Sequence, residues 1–160
     1  MAAPLLTKVT ATQARATAAK VMVKHGATPG TFKAQVEALF DHSGSTEFEK
    51  RRFYTKGYIT GVAQTVLGLA LNLDDNGTVP TYAFATQASE LPELNAQNLD
   101  DYVARYLTPL ARSGGGTNLA TGMRAAMKGF DRKSKDVGLC FVFTDGEAND
   151  ANDVRRVLAD

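Results

Sequence analysis

The stretch Phe32-Lys33-Ala34-Gln35-Val36-Glu37-Ala38-Leu39-Phe40 runs directly into Asp41-His42-Ser43-Gly44-Ser45, and the reading of that junction decides the fold. Residues 32–40 are a mainly apolar run, which reads as a β-strand. The turn after it sets one carboxylate and two hydroxyls at alternating positions. In open α/β sheets ligands bind beyond the carboxyl ends of the strands, so three hard oxygens would sit where a ligand is expected. A helical pattern begins at Glu47, which places a positive helix end and its free N–H groups beside the same turn. Two neutral hydroxyls with few carboxylates suit a small divalent cation that keeps part of its water, as magnesium does. By itself the turn has a plainer explanation, because Asp and Ser are also common turn and N-cap residues.

Outward from the junction, Tyr54, Tyr58, Ile59, Val62, Ala63, Val66, Leu67 and Ala70 recur at spacings of three and four, a stripe that must face a sheet. Asp74-Asp75-Asn76-Gly77 closes this helix. Gly68 lies inside it, and helix propensity predicts that Gly68→Ala is stabilising by about 1 kcal/mol. Val79 to Ala85 reads as the next strand, with Pro80 near its start. Ala88 to Leu91 reads as a short returning strand ended by Pro92, and Asn95 to Tyr106 as a helix. In the other direction no Asp or Glu precedes Glu37, while Lys8, Arg15, Lys20, Lys24 and Lys33 all do. Such a start suits either a basic targeting segment or an amphipathic helix over Thr10 to His25, with Ala14, Ala18, Val21 and Met22 on its inner face and Gly26 as its stop. Gln35 and Glu37 stand out, since a central parallel strand should be apolar on both faces.

Two further stretches carry chemistry. Ser113-Gly114-Gly115-Gly116-Thr117-Asn118 is a flexible loop opening a helix, Leu119 to Phe130; it is not a Walker loop, as no Lys precedes the Thr. Gly138 to Thr144 is a buried-strand pattern ending in Asp145-Gly146-Glu147, followed by a helix over Asn152 to Leu158. Each alone is explained by a connector or a turn. Together the three would meet at one edge of a doubly wound, Rossmann-like sheet with helices on both faces.

This combination resembles the von Willebrand factor A domain (vWA) with its metal-ion-dependent adhesion site, and Asp41, Ser43, Ser45, Thr117 and Asp145 match the metal-binding positions. The resemblance implies that the hydroxyls contact the metal, that the aspartates act directly or through water, and that the ion is Mg2+, Mn2+ or Ca2+. Leu73-Asp74-Asp75-Asn76-Gly77, Leu91-Pro92, Asn98-Leu99, the Gly114 to Asn118 run and Lys24-His25-Gly26 are similar to the tellurium-resistance and stress-response branch. On this reading residues 1–30 form an N-terminal helix and linker and residues 31–160 the vWA-like domain. Thr46 stands where Met is usual. Relatives continue beyond the helix at which this chain stops, so the sheet is expected to lack its last strands. The strand 138–144 would then be an open edge, available for self-association.

Composition narrows the function. The chain has 160 residues, enough for one domain, with 18 basic and 17 acidic residues; a balance of +1 gives no reason to expect nucleic acid. No apolar run approaches the roughly 18 residues that span a membrane. The lone Cys140, in an apolar run, cannot form an internal disulfide and suits a reduced thiol in a cytoplasmic protein. A serine hydrolase would need G-x-S-x-G, and Asp41 and Ser45 flank Ser43 instead. The runner-up is a magnesium-dependent Asp-based phosphatase using Asp41 and Asp145, but its usual second carboxylate two residues on is Ser43 here. The expectation is a non-enzymatic, metal-dependent protein-binding module whose partner supplies an acidic residue to the ion, with a tellurite or general stress role implied by the branch. With both aspartates placed in loops, Asp41→Ala and Asp145→Ala are expected to abolish metal binding without unfolding the domain.

Overall fold

The computed structural model describes residues 9–47, 52–111 and 115–159. β1 (Ala34–Asp41) is the axis of a four-stranded sheet: it lies parallel to β2 (Thr78–Phe84) on one side and to β4 (Val137–Phe143) on the other. β3 (Ala88–Asn95) is antiparallel to β2, so the order is β3-β2-β1-β4. Helices cover both faces, as the doubly wound reading requires. α2 (Tyr58–Leu73) packs Ala63, Val66, Leu67 and Ala70 onto Val36, Ala38 and Phe40, and α1 (Ala11–Lys24) lies over α2. On the opposite face α3 (Leu119–Gly129) sets Ala126 against Leu39, Tyr82 and Phe84, and α4 (Ala151–Ala159) packs on α3. Among the described residues no helix is long and apolar enough to cross a membrane.

The long helix does not begin at Glu47. Residues 44–47 form a 3-10 turn and α2 starts at Tyr58, after Gly57 at φ 78°. Glu47 is buried and its carboxylate accepts from the Tyr54 and Thr55 N–H groups at 2.7 and 3.1 Å and from the Thr55 hydroxyl at 2.9 Å, which ties it to the chain just ahead of α2. β3 passes through Pro92 instead of ending there: it is the sheet's outer strand, and its register slips opposite Val79 and Thr81, where a missing N–H costs little. The helix expected over Asn95 to Tyr106 is replaced by turns, a single wide turn at Val103–Leu107 and a 3-10 turn at Thr108–Leu110. Asn95 and Asn98 divert the backbone, because the Asn95 side chain accepts from the Gln97 and Asn98 N–H groups and the Asn98 side chain accepts from that of Asn95. α1 matches its expected span, with a Thr10–Gln13 capping box, but Val21, expected inside, is half exposed.

Gly68 marks the crossing of α1 and α2, and the propensity argument fails there. A Cβ at Gly68 would stand 2.5 Å from the Ala14 carbonyl oxygen and 2.7 Å from its carbon, both backbone atoms. Asn72 clamps the same crossing by donating to the Arg15 and Gly68 carbonyls at 3.0 and 2.7 Å. Gly68→Ala will therefore destabilise by about 1–3 kcal/mol, the usual range for overpacking, measured as a lowered denaturation midpoint.

The polar residues of β1 also find their reason. Gln35 accepts from the Asp131 N–H at 2.6 Å and donates to the Asp131 carbonyl at 3.2 Å, tying the α3–β4 connection to the sheet. Glu37 is buried beneath α3, and its carboxyl and the Tyr82 hydroxyl occupy the space a side chain at Gly129 would need.

Candidate functional site

Three of the expected site residues come together at the carboxyl edge of the sheet by direct contact. The Ser43 and Ser45 Oγ atoms are 3.2 Å apart, and Ser45 Oγ donates to Asp145 Oδ1 at 3.0 Å, joining the turn after β1 to the turn after β4. Asp41 is the last residue of β1 and is almost fully buried. Its Oδ1 accepts from the Ser43 N–H at 2.7 Å and its Oδ2 from the Thr144 hydroxyl at 2.6 Å, so this carboxylate shapes the turn and binds the two strand ends together. Tyr54, which the sequence pattern placed on the α2 stripe, instead donates its hydroxyl to the Asp41 carbonyl. Burial foremost, then the nearby Asp41 charge, raises the Tyr54 pKa and keeps that hydroxyl a donor.

Thr117 reaches this edge through its loop. Its carbonyl accepts from the Asn149 N–H at 2.8 Å, the Gly115 carbonyl accepts from the Gly44 N–H at 3.4 Å, and Thr86 Oγ1 accepts from the Gly116 N–H at 3.1 Å. The Thr117 side chain is buried, and among the described residues the side-chain hydrogen bonds of Asp41, Ser43 and Ser45 go to one another, to Thr144 and to Asp145 and not to its hydroxyl. Close approach is the reason for the glycines here: a Cβ at Gly115 would stand 2.4 Å from Thr86 Oγ1, and one at Gly116 2.4 Å from Asn149 Nδ2. Neither glycine has positive φ. Ser113 and Gly114 lie outside the described residues.

His42 takes no part. It lines a separate cavity with Thr86, Gln87 and Ser89, and burial holds its pKa below the ordinary histidine value.

The donor set can be tested against a metal. Among the described residues no cluster of three or more His, Cys, Asp or Glu is present, which leaves carboxylates mixed with hydroxyls as the available chemistry. Adjacent ligands in an octahedron of 2.0–2.1 Å bonds lie about 2.9 Å apart. The Ser43–Ser45 and Ser45–Asp145 oxygen separations of 3.2 and 3.0 Å match that edge length. These residues fit a small octahedral cation, with Asp41 holding the turn from behind.

A sequence-family profile described as vWA-TerF-like, the vWA found in the TerF C terminus, matches residues 33–160. The chain belongs to the TerF-like vWA family. Solved structures agree on the fold. Proximal thread matrix protein 1 from the mussel byssus aligns over 80% of the chain at a TM-score of 0.55 and 16% identity. An aerotolerance-related membrane protein from Bacteroides fragilis aligns over 79% at 0.54 and 18%. The aligned regions span 35% and 62% of those chains. No curated protein matches in sequence. A vWA-like domain of this kind is, in general terms, a protein-interaction module.

Sequence reasoning missed Thr144, Tyr54, Thr86, Asn149 and Asp150. Only Thr144 left a trace, as the residue before Asp145 at a strand end. The others act over long sequence separations that no local pattern records.

Proposed function

We propose that this TerF-like domain is a divalent-metal-dependent protein-binding module and not an enzyme, with Ser43, Ser45, Thr117, Asp145 and Asp41 as the residues that would hold Mg2+, or Mn2+ or Ca2+, directly or through water. The observation that carries this is the Ser43–Ser45–Asp145 run of oxygens at octahedral edge spacing. Bound metal would supply an open coordination position. Two carboxylates among five donors leave a divalent ion under-neutralised, so a partner's Asp or Glu is attracted to complete the shell. Beside the site a groove of about 270 Å3, lined by Asp41, Asp145, Tyr58, Ile59, Val62 and Phe143, offers apolar surface to residues flanking that acid. Pull-down from lysate with magnesium and with chelator tests the reading: magnesium-dependent capture, lost in Asp145→Ala, is expected, and identical capture in chelator would overturn it. Hydrolysis of p-nitrophenyl phosphate is expected to be nil with or without magnesium, and magnesium-dependent turnover would favour the phosphatase reading instead.

The setting we propose is the cytoplasm, in tellurite or general stress response, as the family's TerF name suggests. Cys140 fits a reducing compartment: burial foremost, then the Glu37 charge, pushes its thiol up to about 12, which makes it unreactive.

Self-association belongs to the same proposal. β4 is, opposite β3, one of the two sheet edges among the described residues, is free of charge from Val137 to Phe143, and exposes Val137 and Val142. Its unpaired backbone N–H and C=O groups and uncharged side chains suit antiparallel addition of a second copy along β4. Sedimentation should show a concentration-dependent dimer; a monomer at all concentrations, with rapidly exchanging β4 amides, would overturn it.

A further inference from the structure

Asp150 sits at the start of α4, where an Asp ordinarily caps its own helix. Its backbone does so, the carbonyl accepting from the Asp153 and Val154 N–H groups at 2.8 and 3.0 Å. Its side chain turns away to α3: Oδ1 accepts from the Leu119 N–H and Oδ2 from the Ala120 N–H, each at 3.0 Å. Asn118, the N-cap residue of α3, supplies no side-chain cap of its own. The carboxylate therefore satisfies two orphan donors of another helix and places a negative charge at its positive end. One residue earlier, the Asn149 N–H donates to the Thr117 carbonyl at 2.8 Å.

The connection from Asp145 to Asp150 thus has two ends. The first carries a candidate metal ligand. The second grips the loop and helix start that carry Thr117. We propose that Asp150 is the positioning residue of this site: by capping α3 from the β4–α4 connection it fixes Thr117 relative to Asp145, so that metal binding depends on a carboxylate that does not touch the metal. This rests on the metal-dependent reading above. It also predicts that metal bound at Asp145 tightens the α3 start through the same six-residue connection.

The test is magnesium titration calorimetry on the full chain, with amide exchange at Thr117 to Ala120 read in the metal-free state. Asp150→Ala removes both acceptors, and Asp150→Asn keeps one and serves if the Ala variant folds poorly. Thr10→Ala, which removes an equivalent cap from the distant α1, controls for lost stability. Asp150→Ala should weaken magnesium about tenfold, as losses of outer-shell partners do, with Asp150→Asn intermediate and Thr10→Ala unchanged. Exchange at Leu119 and Ala120 should quicken in the Asp150 variants alone. Wild-type affinity in Asp150→Ala, beside a wild-type chain that binds, overturns the positioning role and leaves the metal site standing. A wild-type chain that takes up no magnesium overturns the metal reading, and this inference with it.

Discussion

On the proposed metal-dependent reading, Asp41→Ala will lose magnesium binding and about 1–3 kcal/mol of stability, whereas Asp145→Ala will lose magnesium binding alone. The sequence put both aspartates in loops and so expected equal, purely local effects. The structure separates them. Asp41 is the buried last residue of β1, and its two oxygens take the Ser43 N–H and the Thr144 hydroxyl. Removing it leaves the buried Ser43 N–H without its acceptor and cuts the Thr144 tie between the ends of β1 and β4, and a buried unsatisfied group costs about 1–3 kcal/mol. Asp145 is only partly buried, and its Oδ1 accepts from the Ser45 hydroxyl at 3.0 Å. Urea denaturation of the two variants without metal checks this: a midpoint clearly lowered in Asp41→Ala and close to wild type in Asp145→Ala is expected. Equal midpoints would show that Asp41 does not hold the turn.

Glu37→Gln will stabilise the protein at pH 8 by about 2 kcal/mol and flatten its pH dependence. Glu37 is buried under α3, Oε2 has no hydrogen-bond partner among the described residues, and desolvation foremost, then the Glu90 charge, raises its carboxyl to about 7. The unfolded chain releases this proton near the ordinary value of 4.5, while the folded chain holds it to about 7. The unfolded state therefore binds fewer protons across that window, and Glu37's contribution to stability falls as pH rises from about 4.5 to 7, then levels off. A shift of this size corresponds to about 3 kcal/mol at most, since each unit is 1.36 kcal/mol. Gln keeps the shape without the charge. Thermal unfolding from pH 5 to 8 should give converging curves at pH 5 and a higher midpoint for Glu37→Gln at pH 8; parallel curves would mean that Glu37 is ionised in the fold.

The junction at Asp41 was legible because its signals are local: an apolar run gives the strand, and alternating hard oxygens mark its end. β2, α3, β4 and α4 followed from periodicity within one or two residues. What escaped was decided by partners distant in sequence. Nothing near Gly68 announces that the Ala14 carbonyl fills its missing side chain. Gln35 and Glu37 looked like faults in a central strand, yet Gln35 replaces a backbone partner for Asp131, and Glu37 fills the gap over Gly129. Glu47 looked like the first turn of a helix, yet its buried carboxylate accepts from Tyr54 and Thr55 ahead of α2. Of the site, the four residues of the two strand-end turns could be read in sequence. The brace around them, from Thr144, Tyr54, Thr86 and Asp150, could not, because each joins segments at least 13 residues apart, the shortest being Tyr54 to Asp41.

The most direct test is calorimetric titration of magnesium into the metal-free chain, with Asp145→Ala and the double variant Ser43→Ala, Ser45→Ala measured alongside. The spacing of the Ser43, Ser45 and Asp145 oxygens predicts one saturable magnesium site in the wild-type chain and none in either variant, both of which keep their fold. No heat of binding in the wild type, or binding undiminished in both variants, would contradict it.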